Sequence, residues 1–304
     1  ATNSGIQDIN MYSARVDLMA PLKWMALSYG GKVYFSETNY ENQYFDTTTG
    51  APVFQANQSN VFQYLENTQA LYISGNKKIN NKWDLKLGVR VENTQTKGNS
   101  FTLNQINTNN YIQIFPTAHI QYTVSENQAF SLNFGRRLSR PRYNELNPFK
   151  VSYNPYSYTQ GNPFLSPSFT NNIELQHTFK DVLFTSLSFL NTTNGIGNPP
   201  FFDENSKVQY LLDLNYYTSN SYNLSETYVF NKWDWWESEN QANLYYKTMH
   251  VTKNINLPDN KGLGAYFSSY NSFILNKNKT IKGEINFWYQ TPQYDDLYKT
   301  ASMA

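Results

Sequence analysis

Residues 84–92 read Asp84-Leu85-Lys86-Leu87-Gly88-Val89-Arg90-Val91-Glu92, and their order decides the fold class. Leu85, Leu87, Val89 and Val91 share one parity, whereas Lys86, Gly88, Arg90 and Glu92 share the other. A side-chain period of two puts these sets on opposite faces of a sheet. A helix would mix Leu85 and Lys86 within one turn. The same alternation recurs at 12–20, 130–135 and 281–287. The reading is an all-β chain.

Composition narrows what such a chain does. The 304 residues hold 24 Lys+Arg against 23 Asp+Glu, three His and no Cys; 15% are charged and 17% aromatic. With no basic excess to neutralise phosphates, nucleic acid is not an expected partner. Absence of Cys excludes disulfides, thiolate zinc sites, iron–sulfur clusters and a cysteine nucleophile. Apolar runs stop after three or four residues, as at Met25-Ala26-Leu27, so no helix here can span a bilayer. The start does not read as a signal peptide, and the expectation is that one was removed or that residue 1 is not the native beginning.

The connections alternate in length. Short polar turns are expected near Lys23-Trp24, Asn80-Asn81, Glu126-Asn127, Lys180-Asp181, Asn231-Lys232 and Asn276-Lys277. Longer stretches rich in Asn, Thr, Ser, Gly and Pro lie around 45–60, 96–110, 141–168, 194–207 and 251–262. About twelve strands of ~10 to 18 residues follow, well above the usual five or six. A soluble sandwich also alternates, with its apolar face inward. Long strands joined alternately by short turns and long loops instead match an antiparallel transmembrane β-barrel. Trp24, Trp83 and Trp233 recur beside the short turns and read as an interfacial girdle, with Trp235 and Trp236 close by. In a barrel the faces invert, so Leu85, Leu87, Val89 and Val91 face lipid while Lys86, Arg90 and Glu92 face the lumen. Closure pairs every backbone group, as hydrocarbon demands.

Residues 115–174 carry a resemblance. The matching positions are Arg137, Arg140, Pro141, Leu146, Asn147, Pro148, Phe149, Gly161, Asn162, Pro163, Leu165, Pro167 and Glu174. They resemble the Arg-x-x-Arg-Pro, Leu-Asn-Pro-Phe and Gly-Asn-Pro-x-Leu-x-Pro run, followed by a Glu-bearing strand, of TonB-dependent outer-membrane receptors, in particular a large-barrel branch common in Bacteroidota. Ser168 departs from the Glu that many members carry there. The hairpin from Tyr64-Leu65-Glu66-Asn67 to Thr94 looks similar to the same branch. The resemblance implies active nutrient import in a Gram-negative outer membrane, powered by TonB and gated by a plug domain. Outer-membrane lipid and an unknown nutrient are then partners, and plug and TonB segments belong to a missing N-terminal part. The twelve strands of 1–304 fall short of the 22 of the family's complete barrel, and the end at 298–304 lacks a terminal aromatic strand. A single partial barrel domain without a plug is expected, incapable of transport alone.

Prolines at 141, 148, 155, 163 and 167 cannot donate to a ladder, so 141–168 reads as a structured loop, with Gly161 free to take positive φ in a turn with Asn162. Arg136, Arg137, Arg140 and Arg142 gather where the preceding strand ends. They are solvated or locally paired rim charges, or contacts to plug carboxylates, or holders of an anionic substrate. Parity puts Arg136 and Arg137 on opposite faces. Candidate plug or substrate contacts are Arg137, Arg140, Arg142, Tyr143, Asn162, Tyr156 and Tyr158.

Catalytic and cofactor signatures are absent. His119, His177 and His250 lack metal-ligand spacing, and no P-loop or G-x-S-x-G occurs. Asp234, Glu237 and Glu239, or Asp295 and Asp296, read as rim or interface carboxylates. No catalytic, cofactor or metal residue is assigned, and the chain is not expected to be an enzyme. Two alternatives are a passive porin and a soluble or surface-attached β-sheet binding module. In the latter, aromatic loop residues such as Phe149, Tyr153, Phe201, Phe202, Tyr210, Tyr216 and Tyr217 would grip glycans or a partner.

Overall fold

The computed structural model describes residues 2–293 and 302–303. In chain order the strands are β1 (Thr2–Leu22), β2 (Met25–Asp46), β3 (Val53–Phe54), β4 (Asn60–Lys78), β5 (Trp83–Ser100), β6 (Gln105–Ser125) and β7 (Gln128–Ser139). A helical turn, α1 (Tyr143–Leu146), precedes β8 (Lys150–Asn154) and β9 (Ser157–Gln160). Then come β10 (Ser168–Phe179), β11 (Leu183–Gly197), β12 (Pro200–Asp203), β13 (Val208–Leu212), β14 (Leu214–Trp233), β15 (Trp236–Val251), β16 (Asn260–Ile274) and β17 (Lys282–Gln290).

Twelve of these form one antiparallel wall in the order β1-β2-β4-β5-β6-β7-β10-β11-β14-β15-β16-β17. Each pairs with its neighbour in sequence along the path, so the wall is a meander. Among the described strands β1 and β17 each pair with one other strand, β17 adding an isolated bridge from Gln290 to Met303, and the sheet is an open arc of barrel. The connections at one end are 23–24, 79–82, 126–127, 180–182, 234–235 and 275–281. At the other end lie 47–59, 101–104, 140–167, 198–213 and 252–259.

The long strands run beyond their expected length, with 21 residues in β1 and 22 in β2. A tilted membrane crossing needs only about 9–11 residues, so roughly half of these strands stands beyond any bilayer. The same extension corrects the expected loop at 96–110. β5 runs to Ser100 and β6 starts at Gln105, leaving a four-residue turn at 101–104. Ladder pairing of Ser100 with Gln105 and Lys97 with Thr108 outweighs the polar, turn-like composition of this stretch.

Parity in the structure is the parity of the sequence. On β5, Leu87, Val89 and Val91 are exposed on one face beside Leu71 (72% exposed) and Ile73 of β4. From Trp83 to Val91 this apolar face covers ~27 Å of strand, about 20 Å of height once tilted, close to the apolar band of an outer-membrane barrel. Above it the face turns polar. Asn93 donates to Gln69 (2.8 Å), and Gln69 donates to Asn67 (2.6 Å). Conventional cores are small and sit at the long-loop end. Phe62 and Tyr64 of β4 pack on Leu146 and Leu165, and Tyr216 and Tyr217 pack on Met249.

The stretch 141–168 is more regular than a loop. Besides α1, it supplies β8 and β9 to a second, four-stranded sheet of order β12-β13-β9-β8, completed by the 198–213 connection. β13 and β9 run parallel, and Tyr158 stacks on Tyr210 with centroids 5.1 Å apart.

Candidate functional site

The polar face of the wall holds the candidate site because the 140–167 connection folds onto it. The anchor is Arg140, the second Arg of the motif. Its guanidinium donates to Glu92 and to Thr94 Oγ1 (3.1 Å), and its Nε lies 3.3 Å from Glu66 Oε1 as an ion pair without hydrogen-bond alignment. Glu92 is only 4% exposed. Even-numbered positions of β4 and β5 share this face, which brings Glu66, Glu92 and Thr94 together under one cation. A buried carboxylate that lost its partner would be strongly destabilising. Leu146 and Leu165 then seal the loop against Phe62 and Tyr64.

Gly161 fits this closure for a steric reason. Its φ is not positive, contrary to expectation. Instead, a Cβ there would lie 2.5–2.8 Å from the carbonyl oxygens of Asn147, Glu145 and Asn144. The turn needs close approach, not a left-handed residue. Asn162 completes it by donating its N–H to Glu145 O (2.6 Å) while its Oδ1 accepts from Phe164 N (3.0 Å).

Three cavities follow on the polar face. One of about 570 Å³ is bordered by Arg15, Lys32, Tyr72, Arg90, Glu66 and Arg140. A second, of about 600 Å³, lies where the wall splits: β6 pairs with β7 only over residues 117–125, although β6 continues along β5 back to Gln105. Pro116 is the first residue beyond that ladder and has no N–H to extend it. Above the split β7 pairs only with β10, and Arg90, Arg136, Arg137, Asn172 and Glu174 line the cleft. The third cavity, about 400 Å³, lies at the long-loop end between β2, α1 and the small sheet; Tyr40, Tyr143, Glu145, Phe149 and Asp213 are among its walls. Burial, then the neighbouring Glu145 carboxylate, pushes the Asp213 carboxyl up to about 6.

The candidate residues do not converge on one point. Arg140 is engaged with the wall. Arg137 sits on the polar face opposite Thr170, in the cleft. Arg136 has the other parity and lies 4.7 Å over the Phe169 ring. Arg142 is exposed, and its backbone N–H donates to Glu145 Oε2 (2.7 Å). Tyr143 donates to Gln7 (3.0 Å) and packs 6.1 Å from Tyr40. Tyr156 is exposed; Tyr158 sits in the small sheet beneath Lys150. Lys86, Arg90 and Glu92 share the polar face, with Arg90 3.3 Å from Glu92 and 4.7 Å over Phe115. Trp24, Trp83 and Trp233 all lie at the short-turn end. Trp83 packs on Tyr122 at 4.5 Å, and Trp233 joins Trp235, Trp236, Phe230 and Phe273.

No group of three metal-ligating side chains occurs among the described residues. His119 bonds Asn133, His177 stacks on Phe130, and His250 pairs with Asp259. Asp295 and Asp296 lie outside the described residues. The reading of single residues gave no role to Glu66 or to Asp213. A lone carboxylate inside Leu211-Leu212-Asp213-Leu214 was the available signal for Asp213. Glu66 was legible only by carrying β4 parity across to β5.

Comparison with known proteins fixes the class. No curated protein matches the sequence. Among solved structures, the copper transporter OprC superposes with a TM-score of 0.66 at 12% identity, over 99% of this chain and 48% of that one. The alcaligin outer-membrane receptor FauA from Bordetella pertussis gives 0.55 at 13%, over 95% and 47%. The ferripyoverdine receptor of Pseudomonas aeruginosa gives 0.55 at 12%, over 95% and 42%. The chain thus spans about half the length of these proteins, and at such identity the likeness is one of fold. It agrees with the barrel reading and sets aside the soluble binding module. Over residues 1–304 the sequence matches the outer membrane protein beta-barrel family, and the chain belongs to that family, in the outer membrane of a Gram-negative bacterium.

Proposed function

We propose that the chain is the wall of a TonB-dependent importer, and that a plug domain and TonB act through parts of the protein outside these residues. The observation that carries this is the loop 140–167, tied across the polar face by Arg140, Leu146 and Leu165. A passive porin needs an open aqueous bore, whereas here the loop covers part of the polar face beside charged, shaped cavities for other groups to fill. Arg90 and Arg137 in the cleft are suited to carboxylates of a plug, since arginine holds carboxylates in a planar fork. Trp24, Trp83 and Trp233 serve as the girdle at the short-turn boundary. The nutrient is a siderophore, glycan or peptide, and no catalytic role is assigned.

The test is uptake by cells carrying the full-length protein, with TonB present or deleted. Accumulation of the nutrient that depends on TonB supports the proposal. Equal entry with and without TonB would sink it in favour of a porin.

A further inference from the structure

We infer that the 400 Å³ cavity at the long-loop end is a binding site for a neutral carbohydrate. This deepens the import reading and rests on it for the side from which the ligand arrives. The cavity stands on the part of β2 and β4 that projects beyond the apolar band, so it opens outside the hydrocarbon.

Its chemistry selects the ligand. None of the residues around it is Lys, Arg or His, while two, Glu145 and Asp213, carry carboxyl groups. An anionic chelate would meet like charge in a partly desolvated space. A hard divalent cation is not favoured either: of the lining side chains only Glu145 and Asp213 carry carboxyl groups, and no cluster of three metal-ligating side chains occurs among the described residues. What remains is amide and aromatic. Asn42, Asn60, Asn144, Asn147 and Asn198 each bring a donor and an acceptor, the pairing that vicinal hydroxyls satisfy. Tyr40, Tyr143 and Phe149 supply ring faces for the C–H side of a sugar.

An independent observation points to a ligand. Asn60 is 2% exposed, and its Oδ1 has no hydrogen-bond partner. Asn42 Oδ1, on the adjacent strand, is likewise buried without one. Buried side-chain oxygens are normally paired, and leaving one unpaired is costly. Two on one cavity wall are acceptors in want of hydroxyl donors.

The experiment is binding of fluorescent trisaccharides to the full-length protein in detergent. The neutral set is maltotriose, mannotriose, xylotriose and chitotriose; trigalacturonate and ferric citrate are the anionic comparisons. At least one neutral trisaccharide should bind saturably, and at least tenfold more tightly than either anion. Asp213→Asn, which keeps shape, should weaken it about tenfold through the lost charged acceptor. Tyr143→Ala should weaken it about threefold to tenfold, whereas Tyr143→Phe should retain most of the affinity. Thermal unfolding of each variant separates lost binding from lost fold. Absence of binding by all four neutral sugars, preference for an anion, or indifference to both Asp213→Asn and Tyr143→Ala would each overturn the site. TonB-dependent accumulation of a nutrient without sugar binding removes the site and leaves import standing. Sugar binding without TonB-dependent accumulation does the reverse.

Discussion

The wall and its inserted loop keep their apolar side chains in opposite places. On β4 and β5, Leu71, Ile73, Leu87, Val89 and Val91 are exposed, whereas Leu146 and Leu165 of the loop are buried against Phe62 and Tyr64. The wall is held by backbone ladders and leaves its hydrophobic surface for lipid to cover. The loop is held as a soluble protein is, by a small core and by one desolvated ion cluster. The bilayer is therefore the larger core of this molecule, and among the described residues the buried clusters sit at the long-loop end.

The sharpest break in that comparison is at Arg140. Arg140→Ala leaves buried Glu92 with Arg90 as its remaining cation and takes the cation from Glu66, a loss approaching the about 3–5 kcal/mol of a fully stranded buried charge. Because the loop is tied at several points, the cost should emerge locally. Amide exchange of 143–146 and 162–165 in the full-length protein should accelerate while β5 stays protected. Arg137→Ala, whose guanidinium has no hydrogen bond or ion pair among the described residues, should leave that exchange unchanged. If both variants behave alike, the loop is not held by this cluster.

The wall gives the next largest effect. Leu87 lies midway between Trp83 and Val91, on the apolar face. Leu87→Arg should cost about 2–4 kcal/mol, measured by reversible unfolding in lipid vesicles. Lys86→Arg, one residue away on the polar face, should be near neutral. Equal costs would mean that the faces are assigned wrongly. A smaller effect is expected at Gly161. Gly161→Ala presses a methyl against three carbonyls and should cost about 1–3 kcal/mol, seen as proteolytic nicking near the turn.

The same contrast explains what the sequence disclosed. Alternation at 84–92 and the short turns at 23–24, 126–127 and 180–182 are local signals, and the ladders formed where they pointed. The Arg-x-x-Arg-Pro run marked the loop, but not its target. Glu92 lies 48 residues before Arg140, and nothing between them records that they meet. The small sheet was hidden for a related reason. Its parallel pair β13–β9 joins two separate connections by four-residue registers, too short for a period to be read. Gly161 looked like a turn glycine, yet its constraint comes from carbonyls fixed by the packing of α1.

The smallest effect expected is the dependence of the insert on pH, and its sign is definite. Asp213 has its carboxyl pushed up to about 6, first by burial and then by Glu145, from an ordinary value of 3.8. The groups around the cavity include no Lys, Arg or His to offset that charge. The folded loop therefore binds this proton more tightly than the unfolded chain does. Between about pH 4 and 6 the folded form holds more protons, so its stability falls as pH rises through that window and levels off above it. Amide exchange at Leu214, whose strand begins beside Asp213, should be slower at pH 5 than at pH 7 after correction for intrinsic rates. Asp213→Asn should abolish the difference, and exchange in β5 should show none in either protein. A pH response of β5 equal to that of Leu214 would place the titrating group in the wall and erase the distinction between a loop with its own core and a wall that borrows one from lipid.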